Sequence, residues 1–183
     1  MKIYRVFPHL TSAAEDEPGG VHYVPAQGAG RFDNPGHYRI RYASSTPEGA
    51  IAETFGRLSE WQPAMLVGPP SLPSSTYAIV EMTLSDDLRL CDLDDPRRLM
   101  MLHLRPSDVV ARNYETTKAA ALRIYESGTY DGLGWWSYDE PKRTSLGLWN
   151  DALIVGTNVT KLAIDSPALT AAADAIRRPV RSK

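Results

Sequence analysis

Two charged side chains, Arg31 and Glu53, have the chemistry that a ligand-cleaving site needs. Arg31 follows a Gly-Ala-Gly segment, where the backbone can approach a ligand closely, and its planar guanidinium can donate two parallel hydrogen bonds to phosphate oxygens. Glu53 carries a carboxylate that can stabilise positive charge or orient an attacking water. Each residue also has a commoner explanation: a solvated glutamate on a helix, and a surface arginine paired with Glu15 or Asp33.

Tyr42 and Ser137 are polar side chains with both a functional and a plain structural interpretation. Tyr42 could stack on a ring or present its hydroxyl to a ligand, but tyrosines in strands more often serve packing. The four histidines stand in no recognisable triad pattern with Ser137, so it is not expected to be a nucleophile. From the residues alone, Ser137 is best explained as a strand-end serine that caps a turn. Arg39 and Arg41 lie on the opposite strand face from Tyr42 and are weaker phosphate candidates.

The elements that would position these residues are a loop, a strand and a helix in succession. Glycine and proline breaks place Arg31 on a loop, and alternating apolar residues predict a strand over residues 38–43 that carries Tyr42. The segment Ser45-Thr-Pro-Glu48 resembles a capping box and is followed by apolar residues at helical spacing. We therefore expect a helix over residues 47–59 with Glu53 in its middle.

The remaining chain alternates between short strands and helices without a regular order. The proline-rich residues 62–75 are expected to form a loop, because the pieces on either side are too small to fold alone. The sequence predicts an α+β fold in one compact domain over residues 1–183, with a mixed or antiparallel sheet and flanking helices. Further strands are expected at 2–7, 77–84, 88–93, 133–137, 145–149, 152–156 and 159–164, with a possible hairpin around 85–87, and helices at 95–104, 107–126 and 167–178.

Composition and charge exclude several classes of protein. The 183 residues carry 20 basic and 22 acidic side chains, which argues against the basic face of a nucleic-acid-binding protein. The single cysteine, Cys91, cannot form an internal disulfide, and the few histidines and the acidic cluster around Asp95 do not predict a metal site. No secretion signal or membrane span is expected, so we expect a cytoplasmic protein.

Two stretches of the chain resemble the RES domain, the family of NAD⁺-degrading toxins. The first is GAGRFDNPGHYRIRYASSTPEGAIAETFGR, residues 28–57, and the second is YDGLGWWSYDEPKRTSLGLWND, residues 130–151. The resemblance identifies Arg31, Glu53 and Ser137 as the residues that name the family, with Tyr42 as a further pocket residue. Two departures stand out: Asp33 is an extra residue after the aromatic that follows Arg31, and a tryptophan pair precedes Ser137.

The resemblance implies a fold related to the ADP-ribosyltransferases and NAD⁺ as the substrate. Arg31 and Tyr42 would act both in catalysis and in binding NAD⁺, Glu53 in catalysis, and Ser137 in binding. Cleavage of the nicotinamide–ribose bond releases neutral nicotinamide, so one carboxylate suffices without a general acid. The family also implies a toxin held in check by a helix-turn-helix antitoxin of the Xre type. The alternatives are an ADP-ribosyltransferase that modifies a protein and a domain that only binds a nucleotide or a partner.

Overall fold

A seven-stranded sheet organises the part of the chain that the structure describes. This computed structural model describes residues 1–111, 113–137 and 144–181. The strands are β1 (Lys2–His9), β2 (Arg41–Ser44), β3 (Thr76–Leu84), β4 (Leu90–Asp92), β5 (Gly132–Trp136), β6 (Thr144–Leu148) and β7 (Ile154–Lys161). They lie in the order β4-β5-β6-β2-β1-β3-β7, and all neighbours are antiparallel except the parallel pair β4–β5.

Five α-helices accompany the sheet in the described residues, and they form two groups. The helices are α1 (Pro47–Phe55), α2 (Pro96–Met101), α3 (Pro106–Val110), α4 (Glu115–Glu126) and α5 (Pro167–Ala175). Helices α1 and α5 pack around Val6 and Trp61 in one apolar cluster, whereas α2, α3 and α4 pack around Leu133 and Trp135 in another. The α+β class predicted from the sequence is therefore confirmed, and none of these helices is long and apolar enough to cross a membrane.

One row of side chains crosses the middle of the sheet on a single face. Each member of the row is the direct cross-strand partner of the next, and the order across the sheet is Trp135, Ser145, Ser44, Tyr4 and Glu81. Since side chains on one strand alternate between faces, Val6 and Leu133 share this face. Both groups of helices therefore cover the same face, at opposite ends of the row, which leaves space between them.

The helix predicted over residues 47–59 is present but shorter, and its cap differs from the prediction. Thr46, not Ser45, is the N-cap, and its hydroxyl accepts a hydrogen bond of 3.1 Å from the Gly49 amide. Pro47 occupies the first turn, where no amide hydrogen is needed. The helix ends at Phe55, before Gly56.

The strand predicted over residues 38–43 begins only at Arg41. The side-chain amide of Gln27 binds both the amide and the carbonyl of Ile40, so a side chain takes the place of a neighbouring strand there. The shared face of the prediction is nevertheless confirmed, because Tyr38, Ile40 and Tyr42 contact the same apolar cluster.

Three other predictions about the elements are wrong. Strands β3 and β4 form no hairpin, because β3 lies between β1 and β7 while β4 pairs with β5 at the far edge. The predicted helix 107–126 is two helices, interrupted at Ala111, where the backbone is extended with ψ of 153°. The two last predicted strands are one continuous strand, β7.

Candidate active site

Glu53 projects from α1 over the row of side chains that crosses the sheet. Its Oε1 accepts hydrogen bonds from the hydroxyls of Ser137 at 2.7 Å and Ser145 at 3.2 Å. Both donors are buried, with 3% of each residue exposed, whereas Glu53 itself is exposed. Within the described residues, both bonds reach the same oxygen, which leaves Oε2 for a ligand. The geometry therefore presents a carboxylate with a fixed orientation.

Arg31 lies on the loop that precedes β2, with its guanidinium held by the segment between α3 and α4. Its Nη1 donates a hydrogen bond of 2.5 Å to the Ala111 carbonyl, and the guanidinium carbon lies 4.7 Å from the ring centroid of Tyr114. The two acidic partners considered for it are engaged elsewhere, Glu15 with His22 and Asp33 with backbone amides. Because a guanidinium carries five N–H donors, this one retains donors for an anion.

Tyr42 has its hydroxyl engaged within the protein. The hydroxyl donates a hydrogen bond of 2.7 Å to Asp33 and accepts one of 3.0 Å from the Phe32 amide. Burial and the bond to Asp33 raise the pKa of Tyr42 well above its usual value, so the phenol stays protonated. Its ring meets Trp135 edge to face, with ring centroids 6.0 Å apart.

A cavity of about 540 Å³ lies between the two groups of helices and contains these candidates. Its volume is within the range of about 300–1,000 Å³ common for small-molecule sites. Its wall includes carboxylate, guanidinium, aromatic and hydroxyl side chains, among them Glu53, Arg31, Arg57, Tyr42, Trp135 and Ser145. Because the wall holds three arginines, Arg5, Arg31 and Arg57, against one glutamate, its charges favour an anionic ligand.

A sequence model of the RES domain matches residues 2–172, which is most of the chain. This chain belongs to the RES domain family. A search of curated proteins finds no match.

The fold of this RES domain is similar to that in the crystal structure of the Mycobacterium tuberculosis MbcT–MbcA toxin–antitoxin complex. The TM-score is 0.57 at 12% sequence identity, and the alignment covers 96% of this chain and 88% of the other. At this identity the likeness concerns the fold alone.

The structure brings three of the four predicted site residues to the wall of the cavity, Arg31, Tyr42 and Glu53. Ser137 is not one of the wall residues; it is buried and donates a hydrogen bond to the carboxylate of Glu53. The predicted ligand contacts of all four residues stay predictions. Among the described residues, no group of three or more histidine, cysteine or acidic side chains could hold a metal ion.

Ser145 and Arg57 were missed by the sequence interpretation. Ser145 lies on β6 directly opposite Trp135 of β5, so only the strand register reveals that it faces Glu53. Arg57 stands four residues after Glu53, which is one turn of the helix that the sequence predicts over residues 47–59. That spacing was a signal that could have identified Arg57 as a neighbour of the carboxylate.

Arg41 is a buried arginine on the opposite face of the sheet, as the alternation along the strand predicts. Its side chain is 0% exposed and forms an ion pair of 2.5 Å with Asp151. It also donates to the carbonyls of Val21 and His22. Arg41 is therefore part of the scaffold and not of the cavity.

Proposed function

We propose that this RES domain cleaves the nicotinamide–ribose bond of NAD⁺. The observation that carries the proposal is the oriented Glu53 carboxylate in the same cavity as Arg31 and Arg57. NAD⁺ combines a diphosphate, which arginines bind, with a glycosidic bond whose cleavage develops positive charge on the ribose, which a carboxylate stabilises.

The reaction needs no general acid for its leaving group. When the bond between the anomeric carbon of this ribose and the pyridinium nitrogen breaks, both electrons go to that nitrogen, and nicotinamide leaves as a neutral molecule. The free oxygen of Glu53 stabilises the cationic ribose or orients a ribose hydroxyl or the attacking group. With water as the acceptor, the product is ADP-ribose and one proton is released. With phosphate as the acceptor, the product is ADP-ribose 1″-phosphate.

Arg31 has the position to bind the diphosphate while it stacks on Tyr114. Its contact with Ala111 uses Nη1, so other donors can bind phosphate oxygens in parallel. Trp135 and Tyr42 offer ring surfaces in the same wall, against which nicotinamide or ribose can pack.

The experiment follows nicotinamide release from NAD⁺ by the purified protein, with and without phosphate. Glu53→Gln is the test variant, because glutamine keeps the shape and one acceptor oxygen but removes the charge. Glu126→Gln, an exposed position at the end of α4, is the matched control. We expect release by the wild type and the control, and a loss of at least about 100-fold in Glu53→Gln.

Other outcomes would identify a different function for the cavity. Unchanged NAD⁺ with folded wild-type protein contradicts the proposal. Labelled acceptor protein instead of free product indicates an ADP-ribosyltransferase. Thermal stabilisation by NAD⁺ that persists in Glu53→Gln, without product from either protein, indicates a binding domain.

We infer further that the protein acts in the cytoplasm as the toxin of a toxin–antitoxin pair. Membership of the RES family supports this role, and so does the structural likeness to a chain of a toxin–antitoxin complex. The partner would be a helix-turn-helix antitoxin of the Xre type. Induced expression should lower cellular NAD⁺ and arrest growth, and Glu53→Gln should do neither. Normal growth and normal NAD⁺ during wild-type expression would contradict the toxin role.

A further inference from the structure

Asp33 is a buried carboxylate at the position where this chain departs from the RES pattern. Only 4% of the residue is exposed. Its Oδ2 accepts hydrogen bonds of 2.7 Å from the amides of both Gly28 and Gly30, and its Oδ1 accepts one of 2.7 Å from the Tyr42 hydroxyl. The three donors are neutral and the charge is on the carboxylate that accepts from them, so the hydrogen bonds are charge-assisted. They compensate the carboxylate for its loss of solvent.

These bonds fix the backbone on both sides of Arg31. On the amino-terminal side, Asp33 holds the Gly30 amide, and on the carboxyl-terminal side the Tyr42 hydroxyl accepts from the Phe32 amide. A side chain at position 30 would not fit, because its Cβ would lie 2.5 Å from Oδ1 of Asp33 and 2.6 Å from the hydroxyl oxygen of Tyr42. Asp33 and Tyr42 thus form one support for the loop that carries Arg31.

The same bonds define what the Tyr42 hydroxyl can do. A phenol has one donor hydrogen, and in this structure that hydrogen points to Asp33. The hydroxyl oxygen already accepts from Phe32. Tyr42 therefore contacts the cavity through its ring, while its hydroxyl belongs to the loop.

We propose that Asp33 is a positioning residue that fixes the Arg31 loop and commits the Tyr42 hydroxyl to that loop rather than to the ligand. This proposal rests on the proposed function for its kinetic consequence, but its structural part can be measured without any catalysis.

Amide hydrogen exchange at Gly28 and Gly30 tests the structural part. In Asp33→Ala both amides lose their acceptor, so we expect their exchange to accelerate at least about tenfold relative to the wild type. Asp33→Asn should retain most of the protection, since its one oxygen can accept from both amides while its amide group faces Tyr42. Asp95→Ala, which removes the carboxylate that caps α2, is the matched control and should leave both glycines unchanged.

Steady-state kinetics with NAD⁺ tests the functional part. A displaced Arg31 weakens ground-state binding, so Asp33→Ala should raise KM about tenfold and change kcat by less than about threefold. Asp33→Asn should restore KM to near the wild-type value. Because Asp33 and Tyr42 act through one bond, the factor by which the double variant Asp33→Ala/Tyr42→Phe raises KM should be smaller than the product of the factors for Asp33→Ala and Tyr42→Phe.

Each outcome decides the proposal. Wild-type exchange at both glycines in Asp33→Ala, or fully multiplicative effects of Asp33→Ala and Tyr42→Phe on KM, would overturn it. If Asp33→Ala does not fold, Asp33→Ser has a side chain too short to reach both amides and is measured in the same way. If the wild type does not cleave NAD⁺, the exchange rates still decide the role of Asp33, so the two proposals fail separately.

Discussion

The hydroxyl of Ser137 donates a hydrogen bond of 2.7 Å to the carboxylate of Glu53, and these two residues are 84 positions apart in the chain. Removal of this donor in Ser137→Ala should lower kcat for nicotinamide release about tenfold, because the carboxylate loses its shorter bond. Ser145→Ala, which removes the bond of 3.2 Å, should have a smaller effect. Ser127→Ala at the end of α4 is the control, and a wild-type kcat in Ser137→Ala would refute this role.

Substitution of Arg31 by lysine should show that the shape of the guanidinium matters as well as its charge. Lysine retains the positive charge but loses the planar fork and the stacking on Tyr114. We expect KM for NAD⁺ to rise about tenfold in Arg31→Lys. Arg39→Lys, an exposed position outside the cavity wall, should keep the wild-type KM. Equal KM values for the two variants would show that charge alone suffices.

A methyl group at position 30 should disturb the cavity more than one at position 36. The added Cβ in Gly30→Ala would contact Asp33 and Tyr42 at distances below 3.0 Å, whereas nothing lies within 4 Å of a Cβ at Gly36. We expect Gly30→Ala to lower the free energy of unfolding by about 1–3 kcal/mol and to raise KM, and Gly36→Ala to change neither strongly. Urea denaturation and initial rates measure both effects, and similar behaviour of the two variants would contradict the prediction.

Loss of the Asp151 carboxylate should destabilise the protein without removing a residue from the cavity. Its partner Arg41 has no exposed side-chain surface, so Asp151→Ala leaves a buried guanidinium with carbonyl acceptors only. We expect the free energy of unfolding to fall by about 2 kcal/mol. Asp174→Ala, an exposed position on α5, is the control. Equal urea midpoints for the two variants would mean that the ion pair adds no stability.

Stability should decline at alkaline pH through the thiol of Cys91. Burial raises the pKa of this thiol to about 11 from its usual value of 9.0. Between these values the unfolded chain loses the proton while the folded protein keeps it, so the free energy of unfolding falls as the pH rises through this interval. Below pH 9 the thiol makes no pH-dependent contribution. Urea denaturation over this range should give a shallower decline in Cys91→Ala, and identical slopes would contradict the prediction.

Local patterns in the sequence were sufficient for the elements that depend on local interactions. Pro47 and the apolar spacing that follows it predicted α1, and Asp95 predicted the start of α2, since caps and first turns are determined by neighbouring residues. The ends were less accurate where a distant side chain intervened. The side chain of Gln27 binds the backbone of Ile40, so β2 begins only at Arg41. Nothing in the sequence of the strand itself predicts that contact.

The candidate site depended on information that the sequence does not carry locally. The family pattern led to Arg31 and Glu53, but Ser145 faces the carboxylate only because β6 pairs with β5 in one register. Asp33 looked like an extra residue, and its role emerges only from the folded loop. The hairpin predicted between β3 and β4 was wrong for the same reason, because partners in a sheet are chosen by the whole fold.

The central position of β6 has a consequence for biosynthesis. This strand, Thr144–Leu148, follows β1 to β5 in sequence, yet it lies between β5 and β2 in the sheet. A nascent chain that has not yet reached these residues lacks Ser145 and one of the two neighbours of β2, while the other, β1, is already present. Long-range pairings of this kind form slowly. The two serine contacts of Glu53 can therefore be completed only after Ser145 has been synthesised, 92 residues after the carboxylate itself.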